Sequence, residues 1–239
     1  MLVNVWDVAG AKIIEELGFP AAATASAAIS ASLGFDDNEE IGRDLMLESV
    51  TRIADAIDIP VTADLEAGYG ATVEDAIATA RGAIEAGAVG LNFEDSAHKD
   101  TDVLYDADLQ AERIKAIRRT GDELGIPLVI NARTDVFFRT VLPEEEKFRE
   151  SVRRANLYLK AGADCIYVLG PTDEDVIARL VRAIPSPLNM LALPDAPPIA
   201  RMAELGVKRI SYGPRPMRHA MTAFRQTAER VRDVGIFPW

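Results

Sequence analysis

Apolar runs of strand length alternate with amphipathic helical stretches from one end of the chain to the other. Strands are expected at Leu2–Val5, Ala21–Ala25, Val61–Asp64, Gly90–Glu94, Leu128–Arg133, Cys165–Val168, Pro187–Leu191 and Arg209–Tyr212. These runs are short, mostly apolar and often β-branched, the pattern of parallel strands buried on both faces. Helical periodicity fills the intervals, for example over Ile41–Ile57, Val73–Ala86, Leu109–Leu124 and Glu145–Ala161. In AERIKAIRRTGDEL it places Ile114, Ile117 and Leu124 on one face, with Arg and Glu opposite. TVEDAIATARGAIEAG opens on Thr72 as N-cap, carries acids in its first turn and stops at Gly87.

One joint recurs. LGFPAAATAS, AGAVGLNFED, AGADCIYVLG and LGVKRISYG each run from a helix end, through a glycine stop, into a strand. Glycine supplies the left-handed conformation that ends a helix, so this is the αβ joint of a repeated βα unit. Eight strands with crossover helices predict a closed (β/α)8 barrel of the TIM type, with an open doubly wound sheet as the alternative. No Pro/Gly-rich linker interrupts residues 1–239, so one domain is expected.

Composition narrows the class. At 239 residues the chain is close to the roughly 250 of a typical single barrel. Its 49% apolar content supplies an ordinary core that needs neither disulfides nor a structural metal. The lone Cys165 cannot pair within the chain and lies in an apolar run, which suits a reducing compartment. No apolar stretch approaches the roughly 20 residues that span a bilayer, and no secretory signal is visible, so a cytoplasmic protein is expected. The formal charge is −12, and the one denser basic stretch, Arg209 to Arg232, is spaced like the solvated face of a helix. Nucleic acid is therefore not an expected partner.

In such a barrel the chemistry gathers at the C-terminal ends of the strands. Those ends are polar here: Trp6-Asp7, Ser26, Asp64-Leu65-Glu66, Glu94-Asp95, the run Asn131 to Asp135, Asn189 and Tyr212-Gly213. Asp64, Glu66 and Glu94 come from neighbouring strands and should converge. Unpaired, they would repel and raise one another's pKa. A hard cation resolves that conflict, and carboxylates with retained waters are the Mg²⁺ pattern. His98 and His219 lack zinc-ligand spacing. Arg133 is then the fixed cation for a substrate carboxylate, against the plainer reading of a buried structural ion pair. Residues Ser26 to Asp37 are read as a small-residue segment joining strand two to its helix, where backbone N–H groups can approach an anion.

VTADLEAGYG, GAVGLNFEDS and VINARTDVF resemble the phosphoenolpyruvate mutase/isocitrate lyase superfamily. The resemblance extends to NVWDVAGAKI, SASLGFDD and ISYGP, so it runs nearly end to end. It implies a Mg²⁺-dependent barrel, with Mn²⁺ as the alternative ion, acting on small 2-oxo acids. It also implies a homo-oligomer, tetramer or dimer, whose last helix swaps between neighbouring subunits. Carried over by motif, Asp64 is the closest metal ligand, with Glu66 and Glu94 holding the ion directly or through water. The Ser26-Ala27 backbone, Arg133 and Asn189 bind the carboxylate and oxo end of the substrate. Asp37 sits near the reacting bond and Trp6 forms a pocket wall.

Departures from the pattern narrow the activity. The superfamily's isocitrate and methylisocitrate lyases carry a Lys-Cys-Gly-His-type loop after the fourth strand. Here that region reads EDSAHKDTDVLYD and has no cysteine, which argues against both. It is also shorter than the gating segment of the phosphonate-processing members. The triad reads Asp…Glu…Glu where many members have Asp in the middle, a change that preserves charge. The resulting expectation is a Mg²⁺-dependent lyase or decarboxylase that leaves a pyruvate enolate, as in oxaloacetate decarboxylation. The alternatives are a phosphoenolpyruvate/phosphonopyruvate mutase or hydrolase and, from another class, a non-catalytic 2-oxo acid-binding barrel.

Overall fold

Each expected strand run forms a strand: three keep their expected limits, four are trimmed by one or two residues, and the fifth is shifted one residue toward its C-terminal end. The computed structural model describes residues 1–97, 103–235 and 237. The strands are β1 Asn4–Val5, β2 Ala22–Thr24, β3 Val61–Asp64, β4 Gly90–Glu94, β5 Val129–Thr134, β6 Cys165–Val168, β7 Leu188–Leu191 and β8 Arg209–Ser211. They form one parallel sheet in sequence order, β1 to β8. The ends meet where the Leu2 N–H donates to the Ile210 carbonyl, and where Asn4 Oδ1 accepts from the N–H groups of Tyr212 and Gly213. The sheet thus curls into a (β/α)8 barrel.

The helices are α1 Val8–Glu16, α2 Ser26–Ser32, α3 Arg43–Ala54, α4 Val73–Glu85, α5 Ala107–Glu123, α6 Val136–Arg139, α7 Glu144–Lys160, α8 Glu174–Ala183, α9 Ile199–Leu205 and α10 Arg215–Val234. The start of α4 is fixed by a reciprocal box. The Thr72 hydroxyl accepts from the Asp75 N–H, and the Asp75 carboxylate accepts from the Thr72 N–H. Such caps set the length of the loop between a strand end and its helix, and hence where the strand-end side chains stand.

Three expectations need correction. Residues 26–32 are helical, so the segment from Ser26 to Asp37 is not simply a connector: α2 begins directly at the end of β2. Arg113 is fully buried rather than solvated, and Leu124 is 38% exposed rather than buried. The Arg113 guanidinium bonds the carbonyls of Ala67 and Gly70 and the Gln110 side chain, between the rings of Phe93 and Tyr105. With those partners a charge is tolerated inside. Finally, Arg209 lies in β8 and not on a solvated helix face.

α10 stands apart from the other long helices, because none of its residues is buried. Met221, Phe224, Ala228 and Val231 form a stripe at helical spacing, with Phe224 68% exposed. Among the described residues no helix is long and apolar enough to cross a membrane.

Candidate active site

The C-terminal strand ends open into a cavity of about 440 Å³. Ser26, Ala27, Asp37, Asp64, Glu66, Glu94 and Arg133 all line it. Trp6 and Asn189 are not among its lining residues. Trp6 packs against the apolar core. Asn189 is fully buried, and its amide exchanges hydrogen bonds with the Ser211 hydroxyl at 3.0 and 3.3 Å.

Asp64 is aimed by its neighbours. Strand register sets Asp64 beside Asn92 and Asn92 beside Asn131. Asn131 Nδ2 donates to Asn92 Oδ1 at 2.9 Å, and Asn92 Nδ2 donates to Asp64 Oδ1 at 2.8 Å. The other carboxylate oxygen accepts from the Ser26 N–H and hydroxyl, both at 3.0 Å. This N–H therefore points at Asp64 from the first turn of α2. Hydrogen bonds to an ionised group are each worth about 1.5–3 kcal/mol, so three donors hold the carboxylate in one orientation.

Glu66 sits in a strained turn. It is 1% exposed and takes a left-handed conformation, φ 51°. Asn38, Glu39 and Tyr69 do the same. Glu39, Glu66 and Tyr69 belong to one clasp between the segment after α2 and the turn after β3. Glu39 N–H donates to Glu66 Oε2 at 2.7 Å, Tyr69 N–H donates to Glu39 Oε1, and the Tyr69 hydroxyl donates to Glu66 Oε1 at 3.3 Å. Non-glycine residues in this region cost on the order of 1 kcal/mol or more each and persist where the surroundings over-determine them. Gly68 is obligatory, because a Cβ there would come within 2.6 Å of the Phe93 ring. Burial, with the charges of Glu66, Asp64 and Glu39, pushes the Tyr69 phenol well above its usual pKa, so it stays protonated.

Glu94 and Arg133 are direct neighbours in the β4–β5 register and bond at 2.6 Å. Arg133 also grips Asp135 through Nε at 2.6 Å and Nη2 at 2.7 Å. Burial alone would lower the arginine's pKa; the carboxylates of Asp135 and Glu94 outweigh it and hold the group charged. Asp135 is itself anchored. Its carboxylate accepts from the Ser96 hydroxyl at 2.6 Å, and its N–H donates to Asp95 at 2.9 Å. Asp95 accepts further bonds from Arg154 and Tyr158 of α7. A rigid network thus runs from α7 to the cavity. Sequence reading named the two aspartates and Asn131 as strand-end polar groups but missed Asn92, Arg154 and Tyr158.

Among the described residues, the donors on the wall are hard oxygen ligands, without imidazole or thiolate. Cys165, at the opposite end of β6, is buried, and burial raises its thiol pKa to about 11. Among the described residues, no three His, Cys, Asp or Glu side chains are close enough to close around one ion. Each carboxylate instead has protein donors of its own, which removes the mutual repulsion expected from sequence. Two buried acceptors on the wall, Asn131 Oδ1 and Thr62 Oγ1, have no hydrogen-bond partner. Hard donors spread around a polar cavity fit an ion that keeps several waters, as Mg²⁺ does. His98 and the rest of residues 98–102, within the loop compared above with the lyase and phosphonate loops, lie outside the described residues.

The sequence profile of the phosphoenolpyruvate phosphomutase family matches residues 1–232. A Burkholderia cenocepacia crystal structure, given a provisional phosphonomutase name, superposes with a TM-score of 0.91. It is 42% identical, over 95% of this chain and 92% of that one. A phosphonopyruvate hydrolase solved with oxalate and Mg²⁺ gives a TM-score of 0.85 at 26% identity, over 98% and 82% of the two chains. The oxaloacetate decarboxylase of Pseudomonas savastanoi is 28% identical, over 88% of this chain and 72% of its own. With that profile match and the strand-end motifs in place, the chain belongs to the PEP mutase family, within the phosphoenolpyruvate mutase/isocitrate lyase superfamily.

Proposed function

We propose that this protein is a Mg²⁺-dependent lyase that cleaves a carbon–carbon bond in a small 2-oxo or 2-hydroxy dicarboxylic acid, with oxaloacetate decarboxylation the simplest case. One juxtaposition carries the reading: a carboxylate aimed by three donors, Asp64, and a guanidinium fixed by two carboxylates, Arg133, share the wall of one small cavity. Asp64 would hold Mg²⁺ or Mn²⁺, with Glu66 and Glu94 acting through water. The ion's contribution is Lewis-acid polarisation of the substrate's oxo oxygen.

The chain's own groups do the rest. Arg133 donates from Nε and Nη2 to Asp135 and pairs Nη1 with Glu94, which leaves further N–H groups of the guanidinium for a substrate carboxylate. Cleavage builds negative charge on a pyruvate-like enolate. A cation positioned beforehand stabilises that charge without reorganising, as an oxyanion site does. In this reading Ser26 and Ala27 border the bound carboxylate, and Asp37 stands beside the bond that breaks.

The test is calorimetric titration of oxalate, an enolate mimic, with and without Mg²⁺, on the wild type and Asp64→Ala. Metal-dependent heat that disappears in the variant supports the reading. Binding indifferent to both metal and Asp64 sinks it. The second reading, a phosphonate mutase or hydrolase, is favoured by the names of the similar structures. Turnover of phosphonopyruvate against oxaloacetate separates the two.

The exposed apolar stripe of α10 supports a homo-oligomer in which this helix packs on a neighbouring subunit. Phe224→Asp should shift the mass measured by light scattering toward the monomer; an unchanged mass would refute the swapped helix. The buried lone thiol suits a cytoplasmic setting.

A further inference from the structure

Arg209 is a cavity-wall group that the reading above leaves without a role. It opens β8, in register with the fully buried Asn189 of β7, and lines the cavity from inside the barrel. Its Nε is buried without a hydrogen-bond partner, and among the described residues its side chain makes no hydrogen bond or ion pair. A guanidinium presents five N–H donors and stays charged, so leaving it without a fixed partner in a half-buried place, with Nε cut off from water, is unfavourable. Burial lowers its pKa, and Cys165, Tyr167 and Asp64 offset this only through space. Arg133, on the same wall, is bonded on both sides by carboxylates.

The charge around the cavity points the same way. The whole chain carries −12, yet five arginines face four carboxylates on this wall. Arg215 and Arg218, where α10 begins, also make no ion pair among the described residues and extend the positive side toward the mouth. A small ligand with one negative end would use Arg133 and leave Arg209 bare; a ligand with two would use both.

We infer that Arg209 anchors a second anionic subsite, on the β8 side of the cavity, that takes the carboxylate remote from the 2-oxo group of a small dicarboxylic acid. The inference rests on the 2-oxo acid reading and adds the side chain that selects a dianion over a monoanion. The rival role is that Arg209 merely steadies Asp64 from a distance.

Three probes separate these roles by calorimetry in Mg²⁺: oxalate, 3,3-difluorooxaloacetate, and 2-oxobutyrate, which has the chain length but no remote charge. A charged hydrogen bond predicts that the wild type prefers difluorooxaloacetate to 2-oxobutyrate by about tenfold or more. Arg209→Leu should erase that preference while oxalate affinity stays within about twofold, and Arg209→Lys should restore part of it. The wild-type comparison needs no variant, so poor folding of Arg209→Leu does not block the test. A wild-type ratio near one, or an equal loss for all three probes in Arg209→Leu, overturns the assignment. If oxalate binds the wild type normally and the ratio is one, only the Arg209 subsite falls. If oxalate does not bind at all, the 2-oxo acid reading falls with it.

Discussion

The two sides of the cavity handle charge differently. On the β3–β5 side every charged group has a fixed partner: Asp64 with Ser26 and Asn92, Glu94 with Arg133, Arg133 with Asp135. On the β8 side Arg209 has none among the described residues. Satisfied polar groups add rigidity, because each bond limits the motion of the next. A half-buried cation without a fixed partner adds nothing to the fold, so its presence has to be explained by something other than folding. The first side is prepared for chemistry; the second is prepared for a ligand.

The largest effects should come from breaking the prepared side. Arg133→Ala removes the fixed cation and is expected to lower turnover about 10²-fold or more. A loss below tenfold would refute that role. The same change strands Glu94 and Asp135, so unfolding by urea should show a loss of roughly 3–5 kcal/mol. Next, Asn92→Ala takes one donor from Asp64 and breaks the amide chain to Asn131. Mg²⁺-dependent oxalate affinity should fall about tenfold; unchanged affinity would mean that the orientation of Asp64 does not matter.

Arg209→Leu provides the contrast with Arg133→Ala. Removing an unpaired, half-buried charge should leave stability unchanged or raise it by up to about 1 kcal/mol, even as the dianion preference is lost. A destabilisation as large as that of Arg133→Ala would show that the two sides do not differ. The smallest effect is expected far from either side. Thr72→Ala removes the α4 cap, should cost about 1 kcal/mol, and should lower Tm by roughly 2–4 °C with oxalate binding intact.

Much of this architecture was readable along the chain. Val61–Asp64, Gly90–Glu94 and Cys165–Val168 form strands with the limits expected from their apolar runs. Alternation also marks the inward face: Asn92 and Glu94, like Asn131 and Arg133, sit two apart in otherwise apolar strands and line the cavity. That signal could have identified Asn92 alongside Asn131. Glu66 was chosen for its charge, but its left-handed backbone and its clasp with Glu39 and Tyr69 depend on a segment 27 or more residues away.

What the sequence by itself determined is the order of strands and helices and the placing of carboxylates at adjacent strand ends. Both follow from local periodicity and from a topology in which chain neighbours become spatial neighbours. Only the tertiary structure decided which polar side chains are paired and which face the cavity. It withdrew Asn189 and Trp6 from the wall, buried Arg113 against the turn after β3, and brought Arg209 inside the barrel. The reason is reach. Periodicity says which way a side chain leaves the backbone, but a long arginine meets partners set by the closing of eight strands, and no local pattern encodes that distance.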